Sequence, residues 1–335
     1  MPTWGEILQE LMALQRGAAP LPGGASAFDF VRRKYLKAVA AQTGRNVILY
    51  STRWVQPQHD AALTSITPED VHGFMEVVHG LNGDALDLIL HSPGGSAEAT
   101  EAIVLYLRSK FKDIRVFVPH AAMSAATMLC CAADRIVMGA HSFLGPVDPQ
   151  ILWRTGGGQM SIPAHAILDQ FERAKRECKD PTLLPVWVPT LQQYGPALIA
   201  QCEQALDLSE RLVTSWLTDY MFKDLEDAAK RAERTAKALS SKEVLSHGRF
   251  LHRDELRKKT DLVIEDLEDD QSLQDAVLSV YHATAHTFSA TQAQKIIENH
   301  LGSAFVKIAQ MQMQPVQLPF LIPQVSPGPP KPQDS

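Results

Sequence analysis

Between about residue 45 and residue 150 the chain alternates short apolar runs with helix-forming stretches. That rhythm buries a parallel or mixed sheet under helices, so an α/β core is the first expectation. Val47 to Tyr50 reads as a strand, and Thr67-Pro68-Glu69-Asp70 then supplies a cap, a first-turn proline and acidic residues ahead of Phe74, Val77 and Val78. Leu86 to Leu90 is the next strand, stopped by His91-Ser92-Pro93-Gly94-Gly95. A helix with Ile103, Val104 and Leu107 on one side follows, to about Lys110. Ile114 to Val118 repeats the unit, with the loop Pro119 to Met123, a helix of small residues from about Ser124 to Ala133, and the strand Arg135 to Met138.

From Ile167 onward the pattern predicts long helices, with Leu208, Leu212, Trp216 and Tyr220 sharing a face. Leu245 to Val263 reads as a short return to the sheet, and Leu273 to Gln310 as helix again. Beyond Gln314 a tail holds seven of the 21 prolines and cannot pack a core. The expected organisation is a helical segment over residues 1–40, a catalytic core over 41–180, a mainly helical extension over 181–310 that touches the core near 245–263, and a flexible tail over 311–335.

At 335 residues, 45% hydrophobic and 21% charged, the chain is long enough for a large core. Its 32 Lys+Arg against 38 Asp+Glu give a formal charge of -6, with no global basic field for nucleic acid. The uncharged stretch Ala121 to Ala133 falls short of the roughly 20 residues a spanning helix needs, so no membrane insertion is expected. Met1 to Arg16 reads as an amphipathic helix without the apolar core of a secretory signal, which predicts a cytoplasmic address. Cys130, Cys131, Cys178 and Cys202 have neither C-x-x-C nor zinc-ligand spacing, and the apolar neighbourhood of the first two predicts reduced core thiols, with no disulfide or metal framework. His282 and His286 share a helical face, yet Ala283 stands where a zinc peptidase needs its glutamate.

Two features carry chemistry. Gly94-Gly95, after a strand and before a helix, lets the backbone turn sharply and aim N–H groups at an incoming oxygen, although such pairs often merely end a strand. Ser124 opens a helix directly after a strand and a short loop, which places its hydroxyl at the carboxyl edge of the sheet, where α/β sites form. The plain alternative is an N-cap serine.

The pair of units resembles the Clp protease and crotonase superfamily and, more narrowly, the serine dehydrogenase proteinase family, related to signal peptide peptidase A. The residues that carry this are Leu90-His91-Ser92-Pro93-Gly94-Gly95, Val118-Pro119-His120-Ala121-Ala122-Met123-Ser124-Ala125, Ala133-Asp134-Arg135-Ile136-Val137-Met138-Gly139 and Ser142-Phe143-Leu144-Gly145-Pro146-Val147-Asp148-Pro149-Gln150. His247-Gly248-Arg249 and Lys295-Ile296-Ile297-Glu298-Asn299-His300 add weaker support. The resemblance implies a Clp/crotonase-like spiral of β-β-α units with a helical C-terminal portion, and a serine endopeptidase that needs no cofactor or metal. Ser124 would be the nucleophile, the Gly95 and Ala125 amides the oxyanion hole, and Gly94 the residue shaping the turn.

Several residues are candidates for the base. Clp-type subunits place a histidine after the nucleophile helix, where Gly145 to Gln150 holds none. Enzymes resembling signal peptide peptidase A use a lysine further on, which points to Lys175, or to Lys179, although both sit in a charge-rich stretch that solvates a helix. His247 is the alternative base, ahead of His91, His120, His141 and His165, and Asp148 is a candidate orienting acid or a turn residue. The resemblance further implies a homo-oligomer acting on protein or peptide substrate. No G-x-x-x-x-G-K-[ST] ATPase signature is present. Two rival readings are a crotonase-type acyl-CoA enzyme using the same amides for an enolate, and a catalytically silent oligomeric scaffold.

Overall fold

A computed structural model describes residues 3–17, 20–57, 59–155, 158–240 and 248–309. Helices α1 (Trp4–Arg16) and α2 (Ala27–Thr43) lead into strand β1 (Asn46–Thr52). The short α3 (Ala61–Thr64) and α4 (Asp70–Val78) precede β2 (Ala85–His91), and α5 (Ala97–Lys110) precedes β3 (Asp113–Val118). Next come β4 (Ala121–Ala122), α6 (Ala125–Cys131), β5 (Arg135–Met138) and β6 (Phe143–Leu144), then the hairpin β7 (Gln150–Thr155) and β8 (Gly158–Pro163). Helices α7 (Ala164–Glu177), α8 (Leu184–Leu191), α9 (Leu198–Trp216) and α10 (Ala228–Ser240) follow. The chain then adds β9 (Leu251–His252), α11 (Arg253–Lys259), β10 (Ile264–Asp266), α12 (Gln271–Ala290), β11 (Ala293–Asn299) and β12 (Ala304–Ile308).

The main sheet has the order β10-β5-β3-β2-β1-β11-β12. Its first five strands run parallel, and β11 and β12 close one edge antiparallel. Strand side chains alternate between two helical layers. Ile48, Tyr50, Leu88, Leu90, Val116, Val118 and Met138 pack on the side of α4, α5, α6, α9 and α10, whereas Val47, Leu49, Ile89, Phe117 and Val137 meet α2 and α12. A small second sheet, β4-β6-β9, stands beside the carboxyl ends of the central strands, so that β3, β4 and α6 make one of the expected β-β-α units.

The sequence reading needs correction in two places. The helix expected over 273–310 ends at Ala290, and Ala293–Asn299 is instead a fully buried strand beside β1. Its apolar run is continuous because both faces are covered, which hides the period of two. The hairpin β7–β8 was not foreseen, although Gly156-Gly157-Gly158 between two apolar runs is a hairpin signal. The late return to the core is made by β9 against β6 and by β10 against β5. The proline-rich tail lies outside the described residues.

Candidate active site

The turns after β2 and β3 are stitched together by backbone hydrogen bonds: the Ser92 amide donates to the Ala121 carbonyl (3.2 Å) and the Met123 amide to the Ser92 carbonyl (3.0 Å). The loop after β6 closes on the same place. Gly145 donates to the Ala122 carbonyl (2.9 Å), and the Thr127 hydroxyl bonds both the Ala122 and Gly145 carbonyls, each at 2.9 Å.

Ser124 takes φ 50° and ψ −120° between β4 and α6 and makes no side-chain capping bond. It is the single non-glycine residue with positive φ among those described, and its ψ lies outside the left-handed well as well. Such a conformation costs about 1–3 kcal/mol and persists where the surroundings force it. The consequence is the sharp strand-to-helix turn on which a nucleophilic serine projects its hydroxyl. The N-cap alternative fails here, since the side chain caps nothing.

Gly94 has φ 91°, and a Cβ there would lie 2.5 Å from the Met123 carbonyl oxygen, 2.8 Å from the Ala125 nitrogen and 2.9 Å from the Ser124 Cβ. The glycine turn therefore packs directly on the Ser124 turn. A Cβ on Gly95 would meet the Ile66 backbone at 2.3 Å. Ile66 donates its amide to the Gly94 carbonyl (2.8 Å) and accepts from the Ser96 amide (3.0 Å), so the Gly95 N–H points the other way. Neither the Gly95 nor the Ala125 amide donates to a protein acceptor among the described residues.

Both amides and Ser124 border one cleft of about 630 Å³, whose walls include Ile66, Met128, Gln150, Leu152, Leu208 and Ser209. That is the size of a ligand site. Sequence reasoning missed Ile66, the β7 edge and the α9 wall. The Leu208 face had been seen only as helix packing, because no local signal says which sheet edge a distant helix will reach.

The candidate bases are placed as follows. Lys175 is 57% exposed on α7 with Nζ 2.7 Å from Glu172 Oε1, and it does not line the cleft. This is the solvated helical face weighed as its plain alternative. His247 lies outside the described residues. His91 points into the opposite layer, with Nδ1 3.1 Å from the Ala121 carbonyl and the ring 5.3 Å from that of His120. Burial, helped by the His120 ring, drives its pKa down to about 3, so it stays neutral. His141 meets the Pro119 carbonyl at 3.0 Å, and His165 lies on α7 away from the cleft. Gln150 donates to Asp148 Oδ2 at 3.0 Å. No lysine or histidine is among the described residues lining the cleft, and Glu98 is its one ionisable side chain.

The family model of ClpP-like SDH-type serine proteinases matches residues 59–195. An uncharacterized protein of Methanocaldococcus jannaschii is 33% identical over 165 residues, covering 46% of this chain and 54% of the relative. A second from the same organism is 31% identical over 189 residues, covering 56% and 54%. The chain thus spans about half the length of the curated relatives it matches. Among solved structures, two mutants of the 1510-N membrane-bound stomatin-specific protease, one in complex with a substrate peptide, align with a TM-score of 0.34. They are 15% and 17% identical and cover 60% of this chain and 75% and 71% of theirs.

Proposed function

Because residues 59–195 match the family model of ClpP-like SDH-type serine proteinases, we propose that this chain hydrolyses peptide bonds through an acyl-enzyme on Ser124. The observation that carries the reading is the strained Ser124 turn and the amides of Gly95 and Ala125, which donate to no acceptor among the described residues, around one cleft. Attack of Ser124 Oγ on a carbonyl carbon puts negative charge on the carbonyl oxygen, and preorganised N–H donors lower that barrier without reorganising. The leaving amine takes a proton, and water then releases the acyl group. No metal or organic cofactor is invoked.

For the proton acceptor, Lys175 and His247 stand as the proposals. The acceptor is told apart by Lys175→Ala and His247→Ala, since the true base should lose about 10²–10⁴-fold in acylation while the other variant keeps its rate. The exposure of Lys175 and its Glu172 contact weigh toward His247.

The reading also carries a homo-oligomeric assembly in the cytoplasm. Exposed apolar side chains on the hairpin and α8, such as Leu152, Met160 and Val186, support the assembly, and light scattering on the purified chain checks it. Among the described residues no helix is long and apolar enough to cross a membrane; fractionation tests the address.

A fluorophosphonate probe with peptide mapping tests the central claim. Modification at Ser124, lost in Ser124→Ala together with casein hydrolysis, is expected. A protein that resists the probe yet binds coenzyme A favours a crotonase-type enzyme instead, and one that does neither favours a silent scaffold.

A further inference from the structure

Tyr50, Asp70 and Lys295 are fully buried beside the cleft and have no part in the proposed reaction. Lys295, on β11, donates from Nζ to Asp70 Oδ1 (2.8 Å) and Oδ2 (2.6 Å) and to the Ser65 carbonyl (2.7 Å). Asp70, at the start of α4, also accepts the Tyr50 hydroxyl and the Thr67 amide, both at 2.9 Å. Lys307, on β12, adds contacts of 3.4 Å to Asp70, 2.9 Å to Glu69 and 3.1 Å to the Thr67 hydroxyl. An apolar pair of similar volume is commonly as stable as a buried ion pair or more so. Stability alone therefore does not account for this one.

Its contacts lead to the Gly94–Gly95 turn along two routes. On one side Lys295 and Asp70 fix the Ser65–Thr67 segment, whose middle residue, Ile66, bonds the backbone of Gly94 and Ser96 on either side of Gly95. On the other, Tyr50, which bonds Asp70, pairs in register with Leu90 on β2, and two residues further on the Ser92 hydroxyl accepts the Gly94 amide at 3.2 Å.

We propose that the Asp70–Lys295 pair, with Tyr50, is a brace that sets the position of the Gly95 amide, so that strands β1 and β11 tune the oxyanion hole from outside the cleft. The catalytic part of this rests on the reading of Gly95 as an oxyanion donor; the mechanical part does not. Tyr50, Asp70 and Lys295 are positioning residues, since none borders the cleft.

Lys295→Met alone leaves a buried carboxylate unpaired and can unfold the chain. The test therefore uses Tyr50→Phe and the charge-neutral double variant Asp70→Asn with Lys295→Met, read first by hydrogen exchange. Amides of residues 64–67 and 92–97 should exchange about tenfold faster in either variant while β3 and β5 keep their protection. The second readout is Ser124 turnover of a peptide, where kcat should fall about 10–100-fold at a KM changed less than about twofold. Unchanged exchange in the two segments overturns the brace, as does acceleration spread evenly over the whole sheet, which marks a merely structural pair. If the wild type itself neither labels nor hydrolyses, the peptidase reading fails and exchange alone still decides the brace.

Discussion

At Ser124 the fold holds an L-residue in a conformation that glycine adopts more readily, φ 50° with ψ −120°, and tolerates the strain where a hydroxyl must project. Both Ser124→Gly, which relieves that strain, and Ser124→Ala, which keeps it, remove the hydroxyl, so both should abolish probe labelling. The glycine variant should nonetheless be the more stable of the two by about 1 kcal/mol in urea denaturation, the strain relief outweighing the entropy that glycine adds to the unfolded chain. The reverse order would mean that the turn is not strained. Gly94 presents the opposite case. At φ 91°, with backbone atoms of Met123 and Ala125 already within 3 Å of where a Cβ would stand, Gly94→Ala must move the turn off Ser124. It should lose at least about 1–3 kcal/mol of stability, and about 10²-fold or more in labelling rate.

Among elements, legibility followed locality. The β2–turn–α5 and β3–loop–α6 units were readable because the signals that stop a strand, turn the chain and start a helix lie within a dozen residues: Pro93-Gly94-Gly95 in one, Ser124-Ala125 in the other. Strand β11 was not. Its Lys295 and Glu298 look like solvent-facing charges, but both are buried against partners far away in sequence, Lys295 against Asp70 and Glu298 against Arg32 and Arg33. Asp70 was read as a first-turn helix residue and is instead half of that ion pair. A candidate base was illegible for the same reason, since proximity to Ser124 is a tertiary fact. The join between the two sheets also sets a pH response. His91 sits where β2 meets β4, buried, with its pKa near 3, against about 6.5 in an unfolded chain. Because the folded value is the lower one, the unfolded state takes up the proton first, and stability is lost as pH falls below about 6.5. His91 alone should remove about 2 kcal/mol between pH 7 and pH 5. Urea midpoints at the two pH values check this, and His91→Asn, which keeps a donor toward the Ala121 carbonyl, should flatten the difference.

In the whole molecule the cleft is a joint product of segments far apart in the chain. Residues 59–195, which match the family model, supply Ile66, the glycine turn, Ser124 and the β7 edge, but α9 lies beyond them and closes the cleft with Ala205, Leu208 and Ser209. The α9 face is anchored by Val213 and Trp216, buried in the same core cluster as α6 and the sheet residues behind it. The wall therefore cannot retreat without unpacking that core, and the width of the gap is set by it. On the proposed reading this separates the chemistry from the selection of what reaches it: the Gly94–Gly95 turn and Ser124 belong to one layer, the proposed size filter to another. Ala205→Trp, which adds an indole at the partly exposed rim, should leave Ser124 labelling by a small fluorophosphonate within about twofold while raising KM for an extended peptide by about tenfold, a loss near 1.4 kcal/mol of binding. A parallel fall in labelling would mean that the indole reaches the reacting atoms, and an unchanged KM would mean that peptide enters along the β7 edge without touching α9.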